Sequence, residues 1–186
     1  MCHYKIGKKI NNMCGRYNMG QPLKEKIKEV LPPPEYNQIA FGETFPSNYA
    51  AVKLKEGYRS IKWGVNTDWS KSLIINARLE TIQEKPFFRK DFITNRCVVL
   101  ATSYFEWNNK QKYEIWTSNE ILYMAGLIKE IDGKEEFVIL TEEAQEDIKW
   151  LHDRMPVILN ELQAESYLEG YEIRIRTHEF RIRDAE

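Results

Sequence analysis

The sequence predicts a single α+β domain, with a mainly antiparallel, curled sheet and a few peripheral helices, and three observations lead there. Short runs rich in β-branched and aromatic residues dominate the middle of the chain, at 49–54, 58–63, 73–77, 97–102, 113–116, 121–127 and 137–140. Helical periodicity is confined to a few stretches around them. The 186 residues hold no internal repeat, low-complexity tract or dividing linker, and that length suits one core rather than two.

The elements follow in order. Gln21-Pro22 opens a helix, because proline's fixed φ suits the first turn, and Leu23, Ile27, Val30 and Leu31 then share one face until Pro32-Pro33-Pro34 stops it. Lys55-Glu56-Gly57 reads as a turn joining 49–54 to 58–63 in a hairpin. A second helix is predicted over 142–151, with Thr141 as N-cap and acidic residues in its first turn. A third spans 161–168 and ends at Gly170, and a short strand at 157–159 lies between the two. The tail alternates polar and apolar residues through Thr177 and then shifts phase near His178-Glu179, as two short edge strands or one bent strand would.

Composition bounds the function. Hydrophobic residues make up 42% and charged residues 30%, with a net charge of -1, which describes a globular protein and excludes a disordered one. A net charge near zero also argues against indiscriminate nucleic-acid binding, while leaving room for a groove in which a few arginines hold phosphates. No apolar run is long enough to cross a bilayer and the N-terminal stretch lacks a signal-like apolar region, so the expected location is the cytoplasm, with no membrane partner. Three cysteines, Cys2, Cys14 and Cys97, are odd in number and far apart; neither a disulfide framework nor a structural zinc site is expected, and no metal or other cofactor is predicted.

Four short strings combine residue types that carry chemistry. Met13-Cys14-Gly15-Arg16-Tyr17 looks like the start of a protein, placed behind a short basic stretch with a Met-Cys pair of its own. Its plainer reading is a buried cysteine beside a glycine turn. Ile75-Asn76-Ala77-Arg78-Leu79-Glu80-Thr81 gathers an amide, a guanidinium and a carboxylate at a strand end, which on the plainer reading is a solvated surface ion pair. Tyr104-Phe105-Glu106-Trp107 wedges a carboxylate between aromatics, where desolvation favours its protonated form, or else is a rim glutamate. Leu151-His152-Asp153-Arg154-Met155-Pro156 places a histidine at a predicted helix end, where a capping cation is the plainer reading. A thiol, an amide, a carboxylic acid and a histidine around one sheet are together what covalent chemistry on a carbonyl requires.

In this order the strings Cys14-Gly15-Arg16-Tyr17, Trp63-Gly64, Ile75 to Thr81, Phe105-Glu106-Trp107 and His152-Asp153-Arg154-Met155-Pro156 resemble the SOS-response-associated peptidase (SRAP) family, over about residues 13–160. The resemblance implies a sensor and shield for abasic sites in single-stranded DNA. It implies that Cys14, made N-terminal by loss of Met13, closes a thiazolidine with the ring-opened deoxyribose through its amine and thiol. Asn76 would position that residue and the sugar, Glu106 would shuttle protons, and His152 would assist ring opening and crosslink reversal. Arg16 and Arg78 would hold the flanking phosphates, with Trp69 and Trp107 stacking on bases or shaping the groove. The implied activity is a crosslinking, lyase-type one, with autopeptidase activity beside it, in a monomer associated with the nucleoid when bound to DNA.

The residue types suit this chemistry. An α-amine has a reference pKa of about 8 and attacks an aldehyde near neutral pH, whereas an internal cysteine offers only an amide nitrogen. Residues 1–12 are therefore expected to be a leader outside the mature protein, and 13–186 the working domain. The chain departs from the family in that leader, in the loop at 44–48, and in a tail after Gly170 without the usual closing strand. Two other readings use the same residues. A cysteine peptidase, with Cys14 as nucleophile and His152 as base, needs no free α-amine. A non-catalytic reader of modified DNA would use Arg16, Arg78 and the tryptophans.

Overall fold

A computed structural model describes residues 15–173 and 177–186; Cys14, the 1–12 leader and the centre of the tail's first alternating stretch lie outside the described residues. The architecture is the predicted α+β domain, in two sheets. Five strands close into a barrel in the order β10 (Lys134–Glu143), β4 (Gly57–Trp63), β3 (Tyr49–Leu54), β6 (Arg96–Ala101), β9 (Leu122–Ile131) and back to β10. Only the β10–β4 pairing is parallel. The second sheet is open and antiparallel, in the order β13 (Phe180–Ala185), β8 (Gln111–Thr117), β7 (Ser103–Asn108), β1 (Arg16–Met19) and β2 (Gly42–Thr44). Closure removes the free edges that a sheet of this size would otherwise expose.

The 49–63 hairpin and the first and third helices form where the sequence puts them. Helix α1 (Gln21–Val30) has proline in its first turn and buries Leu23 and Ile27; α2 (Pro33–Tyr36) follows its stop. The sequence reading did not anticipate α3 (Pro86–Thr94) or the 3-10 helix over Leu79–Glu84. Helix α4 (Glu161–Leu168) is opened by a reciprocal capping box: Asn160 Oδ1 accepts from the Gln163 amide (2.8 Å) and Gln163 Oε1 accepts from the Asn160 amide (2.9 Å).

The predicted helix over 142–151 is a misreading. Strand β10 continues through Glu143, so Thr141 is no N-cap: it pairs with Arg78 of β5 (Asn76–Arg78) on one side and with Pro156 of β11 (Arg154–Pro156) on the other. The chain then makes turns and closes a loop in which the Ala144 amide donates to the Asp153 carbonyl (3.0 Å). Acidic residues after a threonine suit a helix start locally, but two neighbouring strands satisfy the backbone groups here. The tail supplies one described edge strand, β13, which pairs with β8 and turns Phe180 and Ile182 towards Ala144, Ile148 and Met155.

Thr102 and a pair of aromatic rings join the two sheets. Between β6 and β7, Thr102 donates its amide to the Asn18 carbonyl (2.8 Å), and its hydroxyl accepts from the Gly20 amide (3.1 Å). Tyr17 of β1 then packs against Trp63 of β4 (ring centroids 5.0 Å apart), and Trp63 stacks on Phe137 of β10. Strand β12 (Ile158–Leu159) extends the β9 edge.

Barrel closure depends on Gly126, where β9 lies between β6 and β10. A Cβ there would stand 2.8 Å from the Val138 carbonyl and 3.0 Å from Cys97 Sγ, and a backbone carbonyl held in the ladder has nowhere to move. Gly126→Ala is expected to lower unfolding free energy by about 1–3 kcal/mol in urea titration, with an unchanged denaturant slope.

Candidate active site and DNA-facing surface

The C-terminal end of β10 organises most of the site. Along β10, β4 gives way to β5 on one edge, and β9 gives way to β11 on the other. Strand β5 carries half-buried Asn76 and exposed Arg78. It is held in place from two directions, because the Ile75 carbonyl accepts from the Ile139 amide (3.0 Å) and from Trp63 Nε1 (3.1 Å). Trp63-Gly64 is therefore structural: the indole anchors β5, and Gly64, at φ +99°, turns the chain out of β4.

Strand β11 brings in the histidine string. Arg154 donates to both Glu80 carboxylate oxygens (2.6 and 2.8 Å) and to the Thr141 carbonyl (2.7 Å), while Glu80 also accepts from the Glu143 amide (3.1 Å). The carboxylate beside Asn76 and Arg78 is thus paired with Arg154 across β10. The second and fourth strings, 74 residues apart at this contact, are clamped together by a bidentate ion pair. The Arg154 guanidinium holds the Glu80 carboxyl below its ordinary value.

His152 lies in the turn before β11, with its side chain 13% exposed. Its Nδ1 is 3.0 Å from the Arg154 amide and 2.9 Å from Asp153 Oδ1. One nitrogen cannot accept from the amide and donate to the carboxylate at once. Asp153 is largely exposed, so the amide contact governs: Nδ1 accepts, and the proton sits on Nε2. That Nε2 is buried and has no partner among the described residues, which leaves a donor available to a ligand.

Glu106 is 2% exposed in β7, opposite Tyr113 of β8. The burial expected from its aromatic neighbours is present. Residues 144–152 pack at the same end of the second sheet: Asn108 Nδ2 donates to the Trp150 carbonyl (2.9 Å), and the Trp150 ring meets Tyr113 edge-on at 5.2 Å. Strand β1 runs beside β7 with Arg16 opposite Phe105.

Arg16 sits on the opposite face of that sheet from buried Tyr17, between the Phe45 ring (4.6 Å) and the Trp107 ring (5.0 Å), and donates to Glu43 (3.1 Å). Burial disfavours the charged form of Glu43, but hydrogen bonds from Lys112 and Arg16 outweigh it and keep its carboxyl below the ordinary value. Arg78 makes no ion pair with a described residue. Trp69 is 69% exposed on the 66–73 loop, edge-on to Phe87 of α3 in a pocket with Lys134 and Asp132, towards the other end of β10. The fold thus gathers Asn76, Arg78, Glu80 and the His152 turn at one end of β10. It sets Glu106 and Trp107 on the adjoining sheet, and leaves Trp69 apart from them.

Residues 13–181 match the family model for SOS response associated peptidase (SRAP). The chain belongs to this family. Relatives include the Abasic site processing protein YoqW of Bacillus subtilis, 29% identical over 84% of this chain and 80% of its own length. Another is YoaM of the same organism, 31% identical over 79% and 75% respectively and bearing the same description. Two crystal structures share the fold, each at 22% identity: a protein from Bacteroides thetaiotaomicron (TM-score 0.77, covering 93% of this chain and 92% of that one) and a phage-related protein from Bordetella bronchiseptica (TM-score 0.67, covering 92% and 94%). The SRAP motifs thus map onto two sheets, with the Glu80–Arg154 clamp internal to them. Nothing local in the sequence singled out that pair, because each residue had a nearer candidate partner.

Replacing Arg154 by Met should lower the melting temperature at pH 7. A lowered carboxyl pKa contributes stability above its unfolded value of 4.5 that is lost as pH falls through the folded value. The difference between parent and Arg154→Met should therefore shrink in melts recorded below pH 4.5.

Proposed function

We propose that the chain recognises abasic sites in single-stranded DNA and forms a covalent thiazolidine crosslink through Cys14, with 13–186 as the working domain and 1–12 removed or never made. The names of its SRAP relatives support abasic-site processing. One geometric observation carries the finer reading. Arg16 pairs with Phe105, so the chain approaches β1 beside buried Glu106, and Cys14 is two residues from Arg16, within about 7 Å of chain.

In this reading the Cys14 α-amine attacks the sugar aldehyde to give a carbinolamine, which loses water to form a Schiff base. The thiolate sulfur then adds to the imine carbon and a proton goes to nitrogen, closing the five-membered ring with no net oxidation. Glu106 carries protons: one to the sugar oxygen on ring opening, one from the thiol on closure. Asn76 orients the N-terminal residue and the sugar, and the Nε2–H of His152 donates to the ring oxygen. Arg78, unpaired among the described residues, meets a phosphate; Arg16, held between two rings, meets another by sharing its charge with Glu43. Trp107 shapes the groove, and Trp69 stacks on a more distant base. The protein acts as a monomer.

The proposal is tested with protein that begins at Cys14, its N-terminus verified by intact mass. Cys14→Ala should form no heat-stable adduct with abasic single-stranded DNA in the absence of reductant, while Glu106→Gln should form the same adduct about 10²- to 10⁴-fold more slowly. Parental rates in both variants would refute the reading, as would equal crosslinking by protein that retains the leader. Arg78→Ala should weaken binding across many sequences and lower the log-log salt slope by about 0.7. A sequence-selective loss would instead mean that Arg78 reads a base edge.

A further inference from the structure

The outer face of the second sheet holds a cation that the proposed chemistry does not use. Lys112 of β8 lies opposite Trp107 of β7, and the strand registers put its side chain on the same face as Arg16 of β1 and Glu43 of β2. Glu43 bridges the two cations with separate oxygens: Oε1 accepts from Arg16 (3.1 Å) and Oε2 accepts from Lys112 Nζ (2.8 Å). Both cations are held where they are. Arg16 lies between the Phe45 and Trp107 rings, while Lys112 Nζ sits 4.3 Å from the centroid of the Phe105 ring and also donates to the Glu186 carbonyl (3.0 Å). Glu43 is the movable member, because β2 is the end strand of the sheet and its carboxylate is 29% exposed. Glu114, which faces the same way from β8, is occupied by Ser103 and Arg183. Beside the bridge, an open depression walled by Asn18, Phe105, Lys112 and Arg183 gives access from solvent.

We propose that Glu43 stands where a phosphodiester of the DNA binds: the phosphate enters between Arg16 and Lys112 in competition with Glu43, so that Lys112 is a further phosphate-binding residue and Glu43 sets how tightly the strand is held. This rests on the reading of the chain as a binder of single-stranded DNA. Two cations that share one carboxylate repel each other once it leaves, and another anion with two oxygens on one centre restores the balance. The non-bridging oxygens of a phosphodiester meet that need. Like the carboxylate oxygens they carry one negative charge between them, and they accept from a guanidinium on one side and an ammonium on the other. The rings beside Arg16 suit the bases of a single strand rather than a free anion, since stacking on aromatic faces accompanies backbone contacts in such grooves.

Binding is measured with protein that begins at Cys14 and with an undamaged single-stranded oligonucleotide, so that no crosslink intervenes. Glu43→Gln should bind about two- to fivefold more tightly than the parent, with a steeper log-log salt slope. Lys112→Met, which keeps the aliphatic stem over Phe105, should bind more weakly and lower the slope by about 0.7. A general change of net charge would act equally in any background, so the combined variant is decisive: Glu43→Gln should gain less in the Lys112→Met background, where the place it vacates has lost one of its two donors. Glu56→Gln, in the exposed turn between β3 and β4, removes the same charge elsewhere and should leave affinity nearly unchanged. Melting temperatures of each variant separate loss of fold from loss of binding. Unchanged or weaker binding by Glu43→Gln, parental binding by Lys112→Met, the same gain in Glu56→Gln, or an equal gain with and without Lys112 would overturn the proposal. Abasic DNA distinguishes it from the crosslinking reading: Glu43→Gln should lower the DNA concentration at half-maximal crosslinking rate more than it alters the maximal rate. If no adduct forms with Cys14 exposed, the crosslinking reading fails, while the binding comparison still decides the role of Glu43.

Discussion

Every backbone donor and acceptor in a buried strand needs a partner, and β10 meets this requirement through its buried middle only by changing neighbours midway. Where β9 and β4 fall away, β11 and β5 take over. That exchange closes the barrel at one end of the strand and brings the strings at 75–81 and 151–156 together at the other. The two functions share one set of hydrogen bonds, so the geometry of Asn76 and of the His152 turn is inherited from the barrel rather than from flexible loops.

The Glu80–Arg154 clamp refines what the exchange establishes. Backbone pairing sets β5 and β11 on either side of β10, and the bidentate pair fixes their relation across it. Isolated surface ion pairs contribute little, but here the guanidinium also satisfies the Thr141 carbonyl, and the carboxylate satisfies the Glu143 amide.

The second sheet contributes differently. Its inner face joins Tyr17 to the barrel through Trp63, and its outer face holds Arg16 between Phe45 and Trp107. Strand β13 closes it with alternating Arg and apolar side chains, so a tail without the family's usual closing strand still supplies an edge strand. Two acidic side chains of this sheet are buried: Glu114, held by Ser103 and Arg183, and Glu106, at the end of the sheet where the chain comes into β1.

The sequence by itself determined the elements whose signals are local: the proline-opened α1, the hairpin at 49–63, the capped α4, the alternating edge strand, and the four strings that mark the family. It also indicated the burial of Glu106, because its immediate neighbours are aromatic. Only the tertiary structure decided that 142–151 is not helical, since the pairing that captures Thr141 comes from residues 63 positions before it and 15 after it. It likewise decided that Glu80 belongs to Arg154 and that Trp69 stands apart. Local propensity is a sum over neighbours in the chain, whereas strand partners, ion pairs and the surroundings of a buried carboxyl are set by residues that meet only once the barrel has closed.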